Sequence, residues 1–108
     1  MQNAIKSQEL DRLLSEIRIE LKAVLPLVEG LVVFGSARDP ASHGDLDLAI
    51  IIPDDINTFE ASLALAPILA RFTTQAGRLV SCFPIGVDRF HNDTSQFIQN
   101  VRTNGRTI

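Results

Sequence analysis

Two aspartates one residue apart, Asp45 and Asp47, open the most apolar segment of the chain, residues 46–52. In an extended backbone alternate side chains share a face, so the two carboxylates stand on one side with Cα atoms about 6–7 Å apart. Like charges at the mouth of an apolar sheet repel each other and resist leaving water. A divalent cation balances them. Carboxylate oxygens suit Mg²⁺, which keeps waters and substrate phosphates as its other ligands. A bare D-x-D is otherwise a solvated strand end, and the upstream context separates the two readings. There a second apolar run stops at Gly35-Ser36. A strand that ends in such a turn leaves free backbone N–H groups, which together with the Ser36 hydroxyl can hold phosphate oxygens. Gly35 lets the backbone approach a ligand closely. A phosphate-holding turn facing a metal-holding carboxylate pair is the minimum apparatus for phosphoryl or nucleotidyl transfer.

The elements that must position these groups follow from patterning. Residues 7–25 carry Leu10, Leu13, Leu14, Ile17, Leu21, Val24 and Leu25 at spacings of three and four, which predicts an amphipathic helix ended by Pro26 or Gly30. Residues 30–35 read as a short buried strand, 36–44 as a turn-rich loop and 45–52 as a second strand. A helix is expected over 58–75, capped by Asn57 with Glu60 three residues on. Pro67 inside it predicts a kink or break. A third strand over 78–85 and a last helix over 94–102, capped at Asp93 or Thr94 and closed by Asn104-Gly105, complete the order helix, strand, strand, helix, strand, helix. The expected class is α/β: one domain over 1–108, a small mixed sheet packed by helices.

Gly35-Ser36, then Ala37-Arg38, then Gly44-Asp45-Leu46-Asp47-Leu48 resembles the signature of the minimal nucleotidyltransferases (MNT), a branch of the DNA polymerase β superfamily. The segment Ser95-Gln96-Phe97-Ile98-Gln99-Asn100-Val101-Arg102 is similar to the S-P-F-[IL]-x-N-V-R ending of some of these small proteins. The resemblance implies a nucleotidyltransferase fold. It also implies that Gly35 and Ser36 bind a nucleoside triphosphate such as ATP, with Arg38 over the phosphates. Asp45 and Asp47 would be the catalytic, Mg²⁺-ligating pair, and a nucleoside monophosphate would be transferred to a hydroxyl. It implies as partner a helical HEPN toxin, with the chain as its antitoxin.

Three features depart from that signature. The loop between Gly35 and Asp45 is about two residues shorter than usual, as read against the family pattern. Gly44 stands where a serine usually precedes the first aspartate. The third strand, residues 78–85, holds no acid where active relatives carry another carboxylate, and alternation puts either Ser81 or Cys82 on the face toward the aspartates. Asp88 lies beyond Gly86 in an expected turn. The alternative reading is therefore a catalytically inactive binding module on the same fold, and a structural homodimer is a third. His43 reads as a loop histidine, Asp54 and Asp55 as turn residues at the far end of the second strand, and Cys82 as a small packed hydrophobe.

Composition sets the outer limits. The chain of 108 residues has 10 basic and 13 acidic side chains, a net charge of -3, with no basic tract, so no nucleic-acid groove is expected. The longest uncharged apolar run, residues 61–70, falls well short of the roughly 20 residues a membrane helix needs. One cysteine and no signal-peptide pattern at the start lead to the expectation of a cytoplasmic protein without disulfides.

Overall fold

The computed structural model of the chain describes residues 2–35 and 44–108, with side chains from Gln8 onward. Its elements run α1 (Gln2–Val24), β1 (Gly30–Phe34), β2 (Leu46–Ile52), α2 (Thr58–Ala76), β3 (Val80–Gly86), α3 (Val87–Asn92), α4 (Gln96–Asn104) and β4 (Arg106–Thr107). The predicted order recurs, with two short additions, α3 and β4.

The sheet order is β3-β2-β1-β4. β1 is antiparallel to both β2 and β4, and β2 is parallel to β3. The parallel pair needs a long crossover, and α2 supplies it. β2 therefore has a neighbour on each side and a layer on each face. That is why its sequence runs apolar without alternating. Leu46, Leu48, Ile50 and Ile52 join the larger core with Leu14, Ile17 and Leu21 of α1 and Leu65 and Phe72 of α2. Ala49 and Ile51 face the other way and join Val32, Phe34, Ile98 and Val101 under α4. Asp47 belongs by alternation to this second face.

Local chemistry accounts for most boundaries. α1 begins at Gln2 rather than at residue 7, since nothing in residues 2–7 breaks a helix. The Asn57 side chain accepts the Glu60 N–H at 3.0 Å, the expected cap. Pro67, expected to kink or break the helix, neither breaks nor ends α2. It and Leu63, whose carbonyl loses its donor, lie on the exposed side, where water can replace the bond. β3 starts at Val80, two residues later than predicted, and holds Pro84, which an edge strand tolerates.

The cap of α4 is Ser95, whose hydroxyl accepts from the Ile98 N–H at 3.4 Å, one residue past the expected positions. Asp93 serves the step before: its carboxylate accepts the Ser95 N–H at 2.7 Å. Asp88, expected in a turn, sits in the first turn of α3. Asp54, two residues past the end of the neighbouring β2, accepts the Asp88 N–H at 3.1 Å.

Gly105 ends α4 at φ -74, an ordinary conformation, so its requirement is space. A Cβ there would lie 2.2 Å from Val32 Cγ1 and 2.4 Å from the Val101 carbonyl. Gly105→Ala is expected to cost about 1–3 kcal/mol by overpacking. The loss would be read as a lower urea midpoint with an unchanged slope. Among the described residues, no helix is long and apolar enough to cross a membrane.

Candidate functional site

The site lies where β1 ends and β2 begins. Asp47 is the second residue of β2, directly opposite Phe34 of β1 on one side and Ser81 of β3 on the other. Partners in register share a face, so Asp47, Phe34 and Ser81 project together on the α4 side. Asp45 precedes the strand and is exposed, while Asp47 is half-buried. Burial first, and then the neighbouring Asp45 charge, push the Asp47 carboxyl above its ordinary value of 3.8. The two carboxylates feel each other, as their spacing requires.

Gly35 closes β1 with φ +73, a left-handed turn that disfavours any side chain. A Cβ at Gly35 would sit 3.1 Å from Asp47 Oδ2. The glycine bend and the second aspartate are thus in near contact. Ser36, Arg38 and His43 lie outside the described residues, so their sequence-based roles rest on the motif alone.

The strand carrying the aspartates is anchored at its mouth. Leu46 N–H donates to the Leu79 carbonyl at 2.8 Å. Arg78 Nη1 donates to the Gly44 carbonyl at 3.2 Å, one residue before Asp45. Arg78 was not singled out from the sequence. Only the register brings it to the site: with β2 and β3 parallel and Leu46 opposite Val80, position 78 is level with position 44.

The open question on β3 resolves in favour of Ser81. Cys82 points to the opposite face and packs against the larger core, where burial drives its thiol pKa far up. Ser81, half-buried and level with Asp47, stands at the strand position where the resemblance leads one to expect a third acid. Asp88 does not replace it. β3 runs on from Ser81 to Gly86, about 16–17 Å by strand rise, before Asp88 is reached. There its carboxylate accepts from Asn92 Nδ2 at 2.9 Å. Among the described residues, no group of three or more His, Cys, Asp or Glu side chains gathers as a metal cluster. Asp93 is structural. Its hydrogen bonds from the Ser95 backbone and Arg89 hold its carboxyl below the usual range.

The raised Asp47 pKa makes a prediction. Folding takes up a proton at such a group, so its stabilising contribution is full below the unfolded pKa and is lost as pH rises through the folded one. At neutral pH without a cation, the Asp47 charge therefore opposes folding. Asp47→Asn is expected to raise the melting temperature slightly at pH 7, a gain in stability of under about 1 kcal/mol after solvent screening. The gap should close as pH falls through the raised Asp47 pKa. A melting series from neutral to acid pH on both proteins checks this.

No protein-family model matches the chain, and no curated protein sequence matches it. Solved structures do match. The mixed sheet with α2 bridging the parallel β2–β3 pair is the nucleotidyltransferase fold of the MNT antitoxins. The structures that share it are toxin–antitoxin complexes. One is a mutant of the MntA complex, matched at a TM-score of 0.58 and 16% identity over 82% of this chain and 66% of the other. A second is a toxin–antitoxin with AMP-PNP, at a TM-score of 0.59 and 18% identity over 85% and 69%. A third is a tri-AMPylated Shewanella oneidensis HEPN toxin in complex with its MNT antitoxin, at 0.54 and 15% over 97% and 70%. At such identities the likeness is one of fold. The chain spans slightly under two-thirds of the length of the first of these and slightly over two-thirds of the others.

Proposed function

We propose that this chain binds a nucleoside triphosphate, ATP foremost, together with Mg²⁺ at the Gly35 bend and the Asp45–Asp47 pair. We further propose that it transfers the nucleoside monophosphate to a hydroxyl of a helical HEPN-type toxin, with pyrophosphate as the leaving group, as an MNT antitoxin. The observation that carries this reading is the near contact of the left-handed Gly35 turn with the Asp47 carboxylate. It supports the reading by bringing the Gly35 backbone and the Asp47 carboxylate oxygens close together. The shared fold supports the partner, since the matched structures are toxin–antitoxin complexes and one of the toxins carries AMP groups. The complex with AMP-PNP supports the nucleotide.

The donor set fits Mg²⁺. Two carboxylates, one with its pKa raised by burial and then by its acidic neighbour, leave positions open for water and phosphate oxygens, the way this ion is usually held. When bound, the ion neutralises phosphate charge and makes the phosphorus more open to attack. The chain's own residues do the rest. Asp45 and Asp47 set the position of that charge, Arg78 and the Leu46 N–H fix the backbone that carries them, and Gly35 leaves room for the triphosphate beside Asp47. Ser81 is neutral and cannot take the acceptor's proton as a carboxylate would, so the chemical step is slow.

One observation favours a second reading. Ser81 at the third position fits a binding module that has kept nucleotide affinity and lost turnover. Calorimetric titration of ATP with and without Mg²⁺ tests the binding. Binding that requires Mg²⁺ is expected, and binding of equal strength without metal, or none at all, contradicts the proposal. Intact-mass analysis of a co-expressed helical partner separates the readings: added AMP marks the enzyme, and metal-dependent binding without any transfer marks the module.

A further inference from the structure

The geometry points to Phe83 and Phe97 as the platform on which the base of the bound nucleotide stacks, an assignment that rests on the nucleotide reading above. Three phenylalanines, Phe34, Phe83 and Phe97, meet with ring centroids 5.6 to 5.8 Å apart and interplanar angles of 56° to 78°. Phe34 is buried at 7% exposure and forms the floor. Phe83 and Phe97 stay 40% and 38% exposed, although each already packs against two other rings. A trio that served only the core would be covered.

Its position gives the exposed part a ligand. Phe34 is the cross-strand partner of Asp47. Phe83 lies two residues beyond Ser81, the partner of Asp47 on the other side, and so projects from the same face. One strand spacing across and two residues along put the Phe83 and Asp47 Cα atoms about 8 Å apart. That is within the reach of a single nucleotide whose phosphates lie at Asp45, Asp47 and Gly35. The residue opposite Phe83 is Ala49, fully buried and small, which leaves the rings free to seat low on the sheet. Among the described residues, the other large exposed apolar side chains of the helices, Ile19, Val24, Phe59 and Leu63, belong to α1 and α2 in the layer behind the sheet.

Edge-to-face contacts fix the rings in advance, so the open faces are set before a base arrives. Stacking tolerates any base, because each has a π-face. The subsite therefore separates nucleotides from bare polyphosphates and discriminates weakly among bases.

Calorimetry on the full chain with Mg²⁺ tests this, with ATP and inorganic tripolyphosphate as paired ligands. Phe83→Leu and Phe97→Leu keep apolar volume and remove the ring, and circular dichroism confirms folding. ATP affinity is expected to fall about 5–150-fold in each variant, while tripolyphosphate affinity stays that of the natural chain. Equal affinity of the natural chain for ATP and tripolyphosphate, or leucine variants that hold ATP as tightly as before, overturns the base platform and leaves the metal–phosphate site standing. A natural chain that binds neither ligand overturns the metal–phosphate reading and the platform with it.

Discussion

Ser81→Asp is expected to transfer nucleotide about 10²–10⁴-fold faster than the natural chain, the usual worth of a positioned general base. Ser81 stands level with Asp47 on the neighbouring strand and on the same face. A carboxylate there would reach the acceptor hydroxyl from the side that the aspartate pair leaves open. The gain has a structural cost. A third acid beside Asp47, whose carboxyl is already pushed up by burial and by Asp45, adds repulsion in the metal-free protein. The variant should therefore melt at a lower temperature without Mg²⁺ and recover when Mg²⁺ and ATP are added. Pyrophosphate release from Mg·ATP in the presence of the co-expressed helical partner measures the rate. Turnover no faster than that of the natural chain would show that position 81 is not the vacant place of the third acid.

The second large effect comes from Asp45→Asn/Asp47→Asn. Interactions with a charged group are worth about 1.5–3 kcal/mol each, so losing both should weaken metal-dependent ATP binding at least about 100-fold. The same change removes the like-charge pair at the mouth of β2, and the metal-free double variant should be slightly more stable than the natural chain. Loss of binding together with a gain in stability distinguishes a removed site from a damaged fold. Retained Mg²⁺-dependent binding would show that the aspartates do not hold the ion.

What was legible in the sequence divides along physical lines. The cap at Asn57 is local, three residues from the N–H it accepts, and was read correctly. The cap of α3 is not local: Asp54 accepts from Asp88, 34 residues away, and no pattern within the helix announces it. α3 itself is one turn and a half of helix with no buried residue, so it leaves no apolar stripe to find. β4 is two exposed residues, held by pairing with Val32 and Val33 and too short for alternation to show.

The aspartates and Gly35 were legible because their chemistry sits oddly in an apolar run. The choice between Ser81 and Cys82 was not. It depends on which strand parity meets Asp47, and that is set by the register between β2 and β3. Arg78 was missed for the same reason, since its partner Gly44 becomes a neighbour only once the strands are paired. The platform of Phe34, Phe83 and Phe97 draws its rings from β1, β3 and α4, and only the fold assembles them.

The most direct test of a shared metal and triphosphate site at the Gly35 bend and the aspartate pair is paramagnetic NMR on the ¹⁵N-labelled chain, with Mn²⁺ in place of Mg²⁺ and ATP present. The amide signals of Gly35, Asp45, Asp47 and Ser81 are expected to broaden first, while those of Asp54 and Asp88 at the far end of the sheet stay sharp. Broadening centred away from Gly35 and Asp47, or none on adding Mn²⁺ and ATP together, would contradict it.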